Sequence, residues 1–134
     1  MNRFDGTVLP IASDEDVVRV RQRVRECAIA LKFNLVDQTK LVTASSELAR
    51  NTLQHAGGGE VLIERVTNGV RAGLKLTFID HGPGIRDIEQ AMRDGFTTGG
   101  GLGLGLGGTK RLVNEFELTS LPGEGTRVAI TRWS

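Results

Sequence analysis

Asp80-His81-Gly82-Pro83-Gly84-Ile85 is the stretch on which the reading of this chain turns. It ends an alternating apolar segment, Leu74 to Asp80, and sets a carboxylate at the end of a strand before two glycines that flank a proline. That combination enforces a tight turn and brings backbone close to whatever lies above the sheet. A carboxylate held there can accept a hydrogen bond from an amino group such as that of adenine. Taken alone, the same residues also make an ordinary Asp-initiated β-turn. His81 is expected to face outward, and with no Cys pair and no other His nearby in sequence it has no metal-ligand pattern.

Upstream, Glu47-Leu48-Ala49-Arg50-Asn51-Thr52-Leu53-Gln54-His55 places Glu47, Asn51 and His55 at i, i+4 and i+8, so that on a helix they project as one row. Mg²⁺ takes hard oxygen ligands and keeps several waters, so one Asn amide oxygen beside phosphate oxygens is a sufficient protein ligand. A carboxylate one turn away can orient a water or a hydroxyl for in-line attack. The same row also fits a helix with ordinary polar residues. Downstream, the run from Gly99 to Gly108 carries Leu at alternate positions and leads into a helix, which argues against a flexible linker. Gly103, Gly105 and Gly108 match G-x-G-x-x-G, but no strand precedes them, so the dinucleotide fingerprint fails. Thr109-Lys110 reverses the order that a Walker motif requires. What survives is a set of glycines that lets amides at a helix N-terminus point at phosphates. Gly125-Thr126 adds a hydroxyl at the start of a strand.

Around these islands the chain divides cleanly. Val8 to Ala12 reads as a strand, and Ser13 before Asp14-Glu15-Asp16 as the N-cap of a helix reaching about Leu31, with Val17, Val20, Val24, Ala28 and Leu31 on its buried stripe. Arg19, Arg21, Arg23 and Arg25 fall on its solvent side, as a solvated face or a partner-binding patch. A second helix is expected from about Val36 to His55, with Leu41, Ala44, Leu48 and Thr52 inward and Gly57-Gly58-Gly59 ending it. Glu60 to Val66 and Leu74 to Asp80 form a hairpin around Asn68-Gly69. Ile88 to Asp94 and Thr109 to Glu115 predict short helices, and Phe116 to Leu121 and Arg127 to Trp133 two closing strands. The order β-α-α-β-β-α-β-β predicts an α+β fold, a two-layer α/β sandwich whose mostly antiparallel mixed sheet is covered by helices on one face.

Composition bounds the function. The 134 residues are expected to form one domain, residues 1–134, and 17 basic against 16 acidic residues leave a net charge of +1. No overall field directs such a protein to nucleic acid or a membrane, so its partners are recognised locally. The single cysteine, Cys27, excludes an intrachain disulfide, and neither a membrane span nor an N-terminal signal pattern is visible, so a cytoplasmic location is expected.

In order and spacing these islands resemble the GHKL ATP-binding fold shared by gyrase, heat-shock chaperones, sensor histidine kinases and mismatch-repair ATPases. More narrowly, Val36-Asp37-Gln38, Ser46 to Asn51, Asp80 to Ile85, Asp94-Gly95-Phe96-Thr97-Thr98 and Gly123-Glu124-Gly125-Thr126 resemble the anti-sigma-factor serine/threonine kinase group, including its stressosome switch kinases. The resemblance implies ATP and Mg²⁺ as cofactors, with Asn51 ligating the metal and Glu47 as catalytic base or water-orienting group. It implies that Asp80 reads the adenine amino group, that Gly82 and Gly84 shape the pocket floor, that Gly101, Gly103 and Gly105 contact phosphates, and that Thr126 supports the adenine end. Arg50 belongs to the narrower pattern, with a phosphate contact expected of it. The substrate implied is a STAS-domain antagonist or scaffold protein, with a phosphatase or a sigma factor as further partner. A nucleotide-binding module that sequesters a partner with little turnover is the alternative. No dimerisation hairpin with a phosphoacceptor His is expected before the domain, so the resemblance to histidine kinases is expected to stop at the fold.

Overall fold

A computed structural model of the chain describes residues 6–85, 91–92 and 105–134. Strand β1 (Thr7–Ile11) leads to helices α1 (Asp14–Ala30) and α2 (Leu35–Ala56), then to the hairpin β2 (Gly59–Asn68) and β3 (Arg71–Asp80). A short helix α3 (Gly105–Lys110) and a second hairpin, β4 (Glu115–Leu121) and β5 (Gly125–Trp133), follow. The sheet runs β1-β2-β3-β5-β4. Its expected mixed character is corrected: among the described residues every strand pair is antiparallel. With two helices in succession between β1 and β2 the chain turns at three junctions and re-enters the sheet in the opposite sense, and both hairpins reverse it again.

Helix α1 starts where the acids predict. Ser13 is extended, its Oγ accepts the Asp16 N–H at 3.3 Å, and Asp16 Oδ2 accepts the Ala12 N–H at 2.9 Å, a reciprocal cap. Arg19 donates to Asp16 Oδ1 at 2.6 Å and Arg23 to Glu26 at 3.3 Å, as a solvated face requires, while Arg21 and Arg25 stay exposed beside Val18 and Ile29. Asn34 caps α2 by accepting the Asp37 N–H at 2.8 Å, and Gly57, at φ 74°, ends the helix in the left-handed region. The inward stripes of both helices, Val17, Val20, Val24 and Ala28 with Leu41, Ala44 and Leu48, cover Val61, Ile63, Leu74, Leu76, Phe78, Val128 and Ile130 of the sheet. Full burial of each larger aliphatic or aromatic side chain contributes about 1.5–3 kcal/mol.

Two expectations shift. The helix predicted at Thr109–Glu115 lies at Gly105–Lys110, one turn earlier. Gly105, Leu106, Gly107 and Thr109 are its buried residues, and Thr109 Oγ1 donates to the Gly105 carbonyl at 2.9 Å. Residues 111–114 instead turn into the sheet, where Asn114 donates its N–H to the Thr131 carbonyl and accepts the Trp133 N–H on its side chain. The β2-β3 ladder also continues to Asn68 and Arg71, leaving Gly69 and Val70 as a two-residue loop. Of the segment Ile88–Asp94 only Ala91 and Met92 are described, and both pack on the core.

Arg132 ties three parts of the chain together. Its guanidinium donates to Asp37 Oδ1 at 2.5 Å and to the Leu112 carbonyl at 2.9 Å, joining β5, the first turn of α2 and the segment that follows α3.

Candidate functional site

A cavity of about 230 Å³ opens between α2, the ends of β3 and β5, and α3. Leu48, Phe78, Ile85, Leu106 and Val128 give it apolar walls, and Asn51, His55, Asp80 and Thr126 bring polar groups to it. Few polar groups on an apolar wall suit a flat heteroaromatic ligand that is oriented by a small number of hydrogen bonds.

Asp80 is held rigidly. Its Oδ1 accepts the Gly82 N–H at 3.0 Å, the local turn expected of an Asp, and also the Thr126 N–H at 3.2 Å from across the sheet. Both bonds engage one oxygen, so Oδ2 keeps its acceptor capacity among the described residues. The turn after Asp80 is fastened to the β4-β5 hairpin twice more: Gly123 donates to the Pro83 carbonyl at 2.7 Å, and Ile85 donates its N–H to Ser120 Oγ at 2.8 Å. Glycine is required where these segments touch. Gly84 sits at φ 77°, where a Cβ would run into the Leu121 carbonyl, and Gly125 at φ 124°, where it would meet the Asp80 carbonyl. A Cβ on Gly82 would lie 2.5 Å from that of Ala56, so this glycine packs the turn against the end of α2 and is not itself on the cavity wall.

The row on α2 is graded from core to solvent. Glu47 is 1% exposed, Asn51 half-buried and His55 exposed, because steps of four residues drift by about 40° each around a helix. Asn51 and His55 reach the cavity; Glu47 lies one turn before Asn51 and is not among its lining residues, nor is Arg50. Gly105 lines the cavity at φ 64°, where α3 begins. Gly101 and Gly103 lie outside the described residues. Thr126, paired in register with Asp80 and Ser120, lines the cavity. Ser120 was missed by sequence reasoning. It sits at an alternating strand position with no motif around it, and only its register opposite Thr126, which sequence does not display, reveals its place.

Comparison with known proteins places this geometry. The chain belongs to the histidine kinase-, DNA gyrase B-, and HSP90-like ATPase family, whose model matches residues 36–133, and within it to the serine/threonine protein kinase group. It is 47% identical over 129 residues to the serine/threonine-protein kinase RsbT of Bacillus subtilis (strain 168), covering 96% of this chain and 97% of that one. It is 35% identical over 118 residues to the anti-sigma F factor of Thermoanaerobacter pseudethanolicus, covering 84% of this chain and 82% of that protein. In fold it is similar to the RsbU and RsbW domains of Rv1364c from Mycobacterium tuberculosis, with a TM-score of 0.64 and 21% identity over 94% of this chain and 32% of that one. It is likewise similar to the mycobacterial sensor histidine kinase MprB, with a TM-score of 0.55 and 19% identity over 96% of this chain and 97% of that one. Family membership implies ATP binding. Among the described residues no helix is long and apolar enough to cross a membrane, and no three His, Cys, Asp or Glu side chains cluster as a metal site.

Proposed function

We propose that this chain acts as one domain of residues 1–134, a cytoplasmic Mg²⁺·ATP-dependent kinase that phosphorylates a serine or threonine of a small STAS-domain antagonist and changes partners as it does so. The observation that carries the proposal is the convergence of Asp80, Thr126 and Asn51 on one cavity. Asp80 Oδ2 would accept the adenine amino group, against the apolar walls of Phe78, Ile85 and Val128. Asn51 would supply one amide oxygen to Mg²⁺, which otherwise takes phosphate oxygens and waters and so needs no carboxylate cluster. Bound there, the metal would neutralise developing phosphate charge. Gly105, with Gly101 and Gly103, would present amides to the phosphates. Glu47 would take the proton of the acceptor hydroxyl, directly or through a water, as that oxygen bonds to the γ-phosphorus and the bond to ADP breaks.

A second reading rests on a specific observation: Glu47 is fully buried and off the cavity wall. It makes the chain a nucleotide-binding module that sequesters a partner, such as a sigma factor, with little turnover, in keeping with its similarity to anti-sigma F factors. Labelled ATP and candidate STAS proteins separate the two. An acid-stable label on the partner, and none on this chain, supports the kinase; tight nucleotide-dependent binding without label supports sequestration. An acid-labile label on this chain would overturn both in favour of phosphohistidine chemistry.

A further inference from the structure

We infer that Ser120 is a positioning residue for purine selectivity: it sets the Thr126 hydroxyl as a hydrogen-bond donor toward the base. The inference rests on the reading of Asp80 as the group that meets the adenine amino group.

Ser120 stands behind Thr126 and does not line the cavity. Its hydroxyl has one proton and two acceptor sites. The Ile85 N–H occupies one acceptor site at 2.8 Å. The proton has two possible destinations, the Gly125 carbonyl at 3.1 Å and Thr126 Oγ1 at 3.0 Å. If it goes to Gly125, the open acceptor site of Ser120 competes with a ligand for the Thr126 proton, and a Thr126 hydroxyl that donates there offers only lone pairs to the ligand. If it goes to Thr126, the Thr126 proton is released for the ligand. One hydroxyl rotation therefore switches Thr126 between acceptor and donor.

The base decides which state is required. On adenine the amino group is flanked by N1 and N7, both acceptors, so a hydroxyl beside Asp80 must donate whichever side it meets. On guanine the group at that place is a carbonyl, which the Asp80 carboxylate repels, and N1 carries a hydrogen. Adenine selects the arrangement in which Ser120 donates to Thr126; Asp80 and the Ser120–Thr126 pair then read adjacent atoms of one edge.

Calorimetric titration with ATP and GTP tests this on Ser120→Ala, Thr126→Val and the double variant. Thr126→Val should weaken ATP binding by about tenfold, the worth of one hydrogen bond, Ser120→Ala by a measurable but smaller factor because the hydroxyl stays but is no longer oriented, and both should weaken GTP binding by far less. The double variant should lose no more than Thr126→Val alone, and Ser120→Thr should restore affinity. Additive losses in the double variant, or equal losses for both nucleotides, would make Ser120 a scaffold residue and overturn the inference. A second measurement needs only the unaltered protein: 1-deaza-ATP or 7-deaza-ATP, whichever lacks the acceptor, should bind about tenfold more weakly, and undiminished binding of both would also overturn it. If Asp80→Asn leaves ATP affinity unchanged, the adenine reading fails and the Ser120 role falls with it; a normal Asp80 effect with a silent Ser120 isolates the failure to this inference.

Discussion

Asp80 and Thr126 pair across β3 and β5, and the Asp80 carboxylate accepts the Thr126 backbone N–H at 3.2 Å. One oxygen of the carboxylate is thereby committed to the fold, and the other keeps its acceptor capacity among the described residues. A group placed this way is aimed before any ligand arrives, which lowers the ordering cost of binding.

Asp80→Asn should therefore separate structure from recognition. The amide oxygen can still take the Gly82 and Thr126 N–H groups, but its NH₂ then confronts the adenine amino group, donor against donor. The loss of one charge-assisted hydrogen bond predicts ATP affinity lower by about 1.5–3 kcal/mol, roughly one to two decades, with thermal stability little changed. Titration with ATP alongside a melting curve checks both halves.

Glu47 and Asn51 should separate chemistry from metal binding. Glu47→Gln keeps the shape of a buried side chain and should leave nucleotide bound while slowing transfer by about 10²–10⁴. Asn51→Ala should abolish the Mg²⁺ dependence of nucleotide binding, measured by titrating with and without chelator. Normal turnover in Glu47→Gln would remove Glu47 as the base and favour sequestration.

Gly125→Ala should destabilise the whole molecule, not the site alone. The new Cβ would drive into the Asp80 carbonyl at a φ of 124°, a conformation that side chains rarely adopt. A loss of about 2–4 kcal/mol is expected from combined backbone strain and overpacking, read as a shift of the urea midpoint at unchanged slope. Gly123→Ala is the control, since at φ 81° its Cβ would meet nothing within 4 Å and only the backbone term remains.

Acid should weaken the first helix through Asp16. The Ala12 N–H bonded to its carboxylate, with Arg19 and Ser13 adding to the effect against the opposing pull of burial, holds its pKa below the ordinary carboxylate value. A carboxyl depressed in the folded state stabilises above its unfolded pKa, and that contribution is lost as pH falls through the folded pKa. Asp16→Asn should accordingly be less stable than the parent at pH 7, with the gap closing below about pH 3–4, as followed by urea denaturation across pH.

Much of the fold was legible because its signals are local. Ser13 and Gly57 mark helix ends through caps that need only neighbouring residues, and the apolar stripes of α1 and α2 follow the helical period. The Gly-Leu run misled at α3, since glycine argues against helix while burial of Leu106 and Thr109 imposes it. At the site, Asp80, Asn51 and Thr126 were visible as motif residues. Ser120 and Arg132 were not, because their roles come from partners far along the chain: Ser120 meets Ile85, and Arg132 meets Asp37. The depth of Glu47 was hidden too, as a row drawn on a helical wheel carries no information about which end faces the core.

The insertion of β5 between β3 and β4 has a consequence for how the protein comes into being on the ribosome. Of the described strands the last in the chain is the one that completes the Asp80 end of the cavity, since it supplies Thr126 and one of the two donors that hold Asp80. A nascent chain extended only to Leu121 already contains both long helices and the first hairpin, yet β3 is still an outer strand and β4 has nothing to pair with. Without the nine residues of β5 the cavity therefore lacks both Thr126 and Val128, and the sheet lacks the strand that joins β3 to β4.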